Sequence, residues 1–282
     1  MVAEATFLTP ATDASSTEGK EEEDKPLQLD EDSLLMAFGS EEAHRTVEWC
    51  RKYHPRSDIF ECRLEDGGKL KNEGNDMVKE GKWREAAERY LAALYEVDFS
   101  IGQQWQLTNE HQHLLDTIKL SILNNLCLAY LHIGIPDKAS KAADLALKSV
   151  AIIDRMAKET EGLNSVSKET KGKVYFRRGR AQLLLGQYDR AYGDAKEAYQ
   201  LCPSDAAVQR LKVEARRKMK EEDEKATRVW KSSAKKMFSK DDEPAKTRES
   251  PVEDDEGEIK TKSEGWISWL MRCSLCRRRK RD

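Results

Sequence analysis

The sequence predicts an all-α protein: a three-repeat α-solenoid closed by a long C-terminal capping helix and flanked by disordered tails. Three observations carry this expectation. The segments GNDMVKEGKWREAAERYLAAL, CLAYLHIGIPDKASKAADLAL and GRAQLLLGQYDRAYGDAKEAY begin at Gly74, Cys127 and Gly179 and share small residues at fixed offsets. A later run, from Val208 to Phe238, places apolar residues at helical spacing. Finally, 36% of the 282 residues are charged and 38% apolar, where about 25% charged is ordinary for a globular chain. Such a composition supports a moderate core with a sizeable polar fraction outside it.

Residues 1–66 read as mostly disordered. Up to residue 33 they are rich in Ala, Thr, Ser and Glu and contain the acidic run Glu21-Glu22-Glu23-Asp24, too polar to offset the entropy of ordering. A short helix around Glu41 to Lys52 is expected within the remainder, without a role. Residues 67–203 hold the repeats. A glycine follows each repeat start at +7 (Gly81, Gly134, Gly186), an alanine at +12 (Ala86, Ala139, Ala191) and another at +19 (Ala93, Ala146, Ala198). The physics of these offsets is a helical hairpin. Glycine ends the first helix in a left-handed conformation that costs it little. Two alanines seven residues apart lie on one face of the second helix and let it approach its neighbour closely. Trp83, Tyr90, Tyr130 and Tyr188 fill the remaining gaps, Pro136 suits a first helical turn, and Pro203 ends the third hairpin.

Equivalent positions are 53 and then 52 residues apart, so the loop Phe99 to His113 and the segment Arg155 to Thr170 are expected to absorb the extra length. Residues 204–240 form the capping helix, opened by Ser204, with apolar positions at Val208, Leu211, Ala215, Met219, Ala226, Trp230, Ala234 and Phe238. A solenoid needs such a polar-faced terminal element. Residues 241–282 read as a polar linker and a short tail.

The repeat pattern resembles the tetratricopeptide repeat (TPR), a helix–turn–helix unit of about 34 residues, over about 135 residues of the chain, from Gly74 on. Its stretched spacing and the SAKKMFSK stretch are similar to the TPR domains of the large immunophilins, FKBP-like co-chaperones. Met77 and Gln182 depart from the pattern, standing where the repeat prefers an aromatic. The resemblance implies a site in the groove lined by the first helix of each repeat. Lys71 and Asn75 in the first repeat, Asn125 in the second, and Lys173 and Arg177 in the third match the two-carboxylate clamp of co-chaperone TPR domains. Asn124, beside Asn125, is left as the incidental member of that pair. The implied partner is the acidic EEVD C-terminal tail of the 90-kDa or 70-kDa heat-shock chaperone.

The residue types suit that ligand. A chain ending in aspartate offers two carboxylates close together. Lys71 and Lys173 supply compact positive charges, Arg177 a planar fork, and the two asparagines donate amide N–H groups without adding charge. The function expected is a non-enzymatic cytoplasmic co-chaperone or adaptor. The alternatives are an immunophilin-like peptidyl-prolyl isomerase with a degenerate or missing catalytic domain, and a membrane-tethered TPR adaptor for another acidic tail.

Other chemistry is excluded or subordinate. The formal net charge of −3 provides no field for nucleic acid. No basic n-region or apolar run follows Met1, so no secretory signal is expected, and Val2 excludes N-myristoylation. The six cysteines (50, 62, 127, 202, 273 and 276) read as free thiols of a reducing compartment. Cys273 and Cys276 form a lone CxxC without a second ligand pair, so no metal or other cofactor is expected, and His111 and His113 read as solvated loop residues. The cluster Trp266, Ile267, Trp269, Leu270, Met271 and Leu275, followed by five basic residues, is too short to span a bilayer. It suits an interfacial membrane contact, with Cys273 and Cys276 placed for lipidation, a nuclear-localisation signal, or an inert tail. The basic helix from Ser204 to Lys240 also fits a calmodulin-type target.

Overall fold

The computed structural model describes residues 33–99 and 107–238, and every regular element among them is helical. A 3-10 turn (Leu34–Phe38) precedes α1 (Ser40–Tyr53), α2 (Phe60–Lys79), α3 (Trp83–Glu96), α4 (Asn109–Ile133), α5 (Pro136–Glu159), α6 (Lys168–Leu184), α7 (Tyr188–Leu201) and α8 (Ala206–Phe238). The chain divides into two compact units, the first ending at Arg228 and the second beginning at Val229.

Three hairpins, α2–α3, α4–α5 and α6–α7, are closed by one device. Gly81, Gly134 and Gly186 adopt φ of +78°, +85° and +74°, a region that side chains with a Cβ rarely enter. The N–H of the following residue then reaches back five positions: Lys82 to Met77, Ile135 to Tyr130 and Gln187 to Gln182, each 2.9 Å from the carbonyl oxygen. This bond satisfies a helix-end carbonyl that would otherwise lack a partner. All six offset alanines have no exposed surface, as close helix approach requires. Within the stack α3 packs on α4 and α5 on α6, while α2, α4 and α6 are neighbours in that order.

The extra length between repeats goes mainly into helix. α4 runs for 25 residues and α5 for 24, so α4 already contains His111 and His113, and only residues 160–167 separate α5 from α6. The expectation that His111 and His113 lie in a loop is thus corrected, both being helical, while His111 stays exposed as expected. His111 packs on Phe60 with ring centroids 5.0 Å apart, and His113 Nε2 lies 2.8 Å from the Asn164 carbonyl oxygen. Thr108 caps the lengthened α4 by accepting from the His111 N–H at 3.3 Å. α4 is also long and apolar enough to cross a membrane, yet 56% of that window is buried inside the helical core.

Within residues 34–66, where only a short helix around Glu41 to Lys52 is expected, that helix is present as α1, and the 3-10 turn and the first residues of α2 are folded as well, all in the first unit. Leu35, Phe38, Val47 and Cys50 lie in the same apolar core as the repeats, each full burial contributing about 1.5–3 kcal/mol. Phe38 stacks on Tyr130 at 5.9 Å. Tyr130 Oη donates to Glu42 at 3.3 Å, and Lys138 pairs with the same carboxylate. At the other end Asp98 accepts from Ser33 Oγ at 2.8 Å and from the Leu34 N–H at 2.9 Å. Its backbone carbonyl takes bonds from Arg56 and Arg63. α2 likewise starts at Phe60, ahead of the expected boundary at 67.

At the far end of the stack Asp205, rather than Ser204, caps α8, its Oδ1 accepting from the Ala207 N–H at 2.7 Å. Val208, Leu211 and Ala215 are buried, with Leu211 against Gly179, where a Cβ would stand 3.3 Å from Leu211 Cδ2. Lys212 lies over the Tyr199 ring at 3.7 Å. Farther along, Ala226 and Trp230 are exposed, so the apolar register is used for burial only in the first turns. The tails at 1–32 and 239–282, including the lipidation candidates Cys273 and Cys276 and the tryptophan-and-arginine cluster, lie outside the described residues.

Candidate carboxylate-binding groove

Helices α2, α4 and α6 carry the five predicted residues, and the structure joins three of them directly or through one neighbour. Asn125 Nδ2 on α4 donates to Asn75 Oδ1 on α2 at 2.9 Å. The same oxygen accepts from the Tyr90 hydroxyl at 2.9 Å. Arg177 on α6 reaches across to α4, where Nη1 donates to Asn124 Oδ1 at 2.7 Å and also to the Asn124 backbone carbonyl. Two separate sets of polar contacts, one from α2 to α4 and one from α4 to α6, therefore meet α4 at the adjacent residues Asn125 and Asn124.

The rotation of α6 that aims Arg177 this way is fixed by the next residue. Consecutive helical positions point about 100° apart. Arg178 forks onto Asp194 of α7, with Nε to Oδ2 at 2.8 Å and Nη2 to Oδ1 at 2.7 Å, while Nη1 reaches Asp144 of α5 at 2.8 Å. With Arg178 locked toward the second-helix side, Arg177 is delivered to α4. Burial lowers the Arg177 pKa from its ordinary value, but an arginine remains charged at neutral pH. A partly desolvated cation with two neutral oxygens as its partners retains charge for an anionic ligand.

The lysines flank these contacts. Lys71 lies one turn before Asn75 on α2 and makes no hydrogen bond or ion pair among the described residues. Lys173 lies one turn before Arg177, with its Nζ 2.7 Å from Glu169 Oε1 in an exposed i,i+4 pair. That contact depresses the Glu169 carboxyl below its ordinary value.

Two members of these contacts are not evident from sequence alone. Asn124, expected to be incidental, is the anchor of Arg177; its partner lies 53 residues away, beyond any local pattern. Tyr90, read as a gap-filling aromatic, uses its hydroxyl on Asn75. Burial pushes the nearby Cys127 thiol up to about 12. No group of three or more potential metal ligands occurs among the described residues. A separate cavity of about 590 Å³ at the 3-10 turn, α1 and the α4–α5 turn is lined by Glu42, Arg45, Arg84, Glu88 and Lys138, a mixture of signs that selects no anion.

Stacked glycine-turned hairpins with alanine seams define a TPR-type domain, here carrying cations and carboxamides on its first helices. No family model matches the chain. Over its TPR-containing part it is similar to peptidyl-prolyl cis-trans isomerase D of Cryptococcus neoformans, with 29% identity over 161 residues, 56% of this chain and 40% of that protein. It is also similar to peptidyl-prolyl cis-trans isomerase FKBP42 of Arabidopsis thaliana, with 27% identity over 158 residues, 55% of this chain and 37% of that protein. The chain therefore spans less than half the length of these curated relatives, and the similarity falls on their repeats rather than on a catalytic domain. Among solved structures, the C-terminal TPR-containing domain of a Plasmodium falciparum FK506-binding protein superimposes with a TM-score of 0.48 at 20% identity, covering 59% of this chain and 96% of that one.

Proposed function

We propose that this chain is a non-enzymatic cytosolic co-chaperone or adaptor whose α2, α4 and α6 bind the acidic C-terminal tail of a 70-kDa or 90-kDa heat-shock chaperone. The observation that carries the reading is the pair of cross-helix contacts, Asn75–Asn125 between α2 and α4 and Asn124–Arg177 between α4 and α6, with Lys71 one turn before Asn75 and Lys173 one turn before Arg177. Two carboxylates of a terminal aspartate need several N–H donors and positive charge in one place. Each charge-assisted bond contributes about 1.5–3 kcal/mol. The binding is an equilibrium, and its consequence is recruitment of whatever the flanking regions hold to the chaperone.

Calorimetry with a peptide ending in EEVD tests this directly. Micromolar binding by the intact chain is expected, and Lys173→Ala or Arg177→Ala should each weaken it by roughly 10- to 100-fold, the equivalent of one such bond. No heat of binding by the intact chain, or unchanged affinity in both variants, removes the reading. A prolyl-isomerisation assay on the same preparation separates it from the enzymatic alternative.

A further inference from the structure

The last turns of α8 sort their side chains in a way that burial does not explain. From Lys225 to Lys240 the sequence holds six basic residues and no acidic one, and α8 stays helical through Phe238. The second compact unit begins at Val229. Successive helical positions turn by about 100°, so Val229, Ser233, Met237, Trp230 and Ala234 follow one another around a single uncharged arc of about 140°. Lys231, Lys235 and Lys236 fall on the opposite arc. Lys231 stands at the border beside Ala234, and Lys236 at the border beside Val229.

The uncharged arc is open. Val229 is 65% exposed, Trp230 70% and Met237 69%, whereas an apolar stripe on a helix ordinarily faces a core. Three occupants come into question. A second copy of this helix would bury a strip of about two turns, far below the roughly 1,200–2,000 Å² of a specific protein interface. It would also bring like charges together. A protein groove that encloses a helix draws on its whole circumference, but here the apolar and cationic halves are separated. A flat anionic surface matches that separation: the apolar arc sinks to the boundary of headgroups and acyl chains, and lysines at both borders reach out to headgroup phosphates and carboxylates. Tryptophan suits this depth, its ring being apolar and its N–H polar.

We propose that the end of α8, from Val229 to Met237, docks on anionic lipid bilayers, lying in the interface plane with Val229, Trp230 and Met237 inward and Lys231, Lys235 and Lys236 on the headgroups. The contact involves none of the residues of α2, α4 and α6 assigned above and does not depend on what they bind. One short helix gives reversible attachment, to which each basic residue near the surface adds a gain of about fivefold in partition. The tryptophan-and-arginine cluster of residues 266–281 offers a second signal of the same chemistry in the sequence, so the two contributions have to be measured apart.

Co-sedimentation of the full chain with vesicles of phosphatidylcholine containing about 30% phosphatidylserine tests this, with pure phosphatidylcholine vesicles as the reference. The full chain should partition onto the anionic vesicles and roughly tenfold less onto the neutral ones. Trp230→Glu, at a side chain too exposed to disturb folding, should weaken partition by roughly tenfold and leave the thermal transition unchanged. Lys231→Gln combined with Lys235→Gln should weaken it by about 25-fold on the anionic vesicles and little on the neutral ones. In a chain lacking residues 264–282 the same variants should keep these ratios, because the tail contributes separately. No partition by the full chain overturns the proposal. Partition that is unchanged in Trp230→Glu but lost without residues 264–282 assigns the contact to the tail and overturns it too. Binding to calcium-loaded calmodulin without partition onto vesicles makes this a protein-docking helix, which equally overturns it.

Discussion

Asn124 is a single uncharged side chain that holds Arg177 across two helices. Its Oδ1 and backbone carbonyl are the hydrogen-bond acceptors of Arg177, and a neutral acceptor orients a guanidinium without neutralising it. Replacing the amide by a carboxylate of the same shape separates the two effects. In Asn124→Asp the geometry is retained and Arg177 gains an ion-pair partner, so thermal stability should hold or rise. The charge available to a ligand carboxylate is cancelled locally, and affinity for an EEVD-ending peptide should fall at least tenfold. A variant that unfolds at a lower temperature yet binds as tightly as the parent would show that Asn124 serves only packing. The residue is invisible to sequence reasoning for a physical reason: its role exists only when α6 lies beside α4, and nothing within a few positions of Asn124 encodes that neighbour.

At the scale of elements, the hairpins are legible in the sequence because their chemistry is local. A left-handed turn residue must be glycine or bear strain, and a close helix seam must be alanine or smaller, so three copies of Gly and Ala at the same offsets suffice to specify three hairpins. The lengthening of α4 and α5 is not legible, since those offsets mark the turn and the seam and say nothing of how far each helix runs beyond them. In the N-terminal segment the helix expected around Glu41 to Lys52 is present as α1, but its attachment to the repeats is not legible, for a different reason. This α1 buries the periodic face Ala43, Thr46, Val47 and Cys50, but the 3-10 turn and α1 pack on several separate partners, α3, α5 and Tyr130 of α4, which no local pattern identifies. Phe38 tests its contribution. It is 2% exposed and stacked on Tyr130, and truncating a buried phenylalanine costs about 3–5 kcal/mol. If the segment is integral to the unit, Phe38→Ala should lower the single thermal transition as a whole. A separate early transition confined to α1, with the repeats melting unchanged, would show an independent appendage.

For the whole molecule, the near-cancellation of charge means that attraction of an acidic tail has to be local. At −3 formal charge the chain has no long-range field to draw in an anion, so the groove cations must supply both the steering and the binding, and burial divides these tasks between them. Lys173 is 56% exposed and already shares its charge with Glu169 across solvent, which makes it a screened, salt-sensitive contact. Arg177 is partly desolvated between α4 and α6, where screening is weak. At 0.1 M ionic strength the Debye length is about 10 Å, falling to about 3 Å at 1 M. Raising salt across that range should therefore weaken peptide binding by the intact chain without abolishing it. Lys173→Ala should start weaker but show a flatter dependence on salt, whereas Arg177→Ala should lose more affinity and keep the original slope. Equal slopes in both variants would mean that the two cations occupy equivalent electrostatic environments, contrary to their different burial. Parallel titrations of the three proteins at about 0.1, 0.3 and 1 M salt distinguish these outcomes, because the slope of log Kd against log salt reads exposed charge separately from the affinity itself.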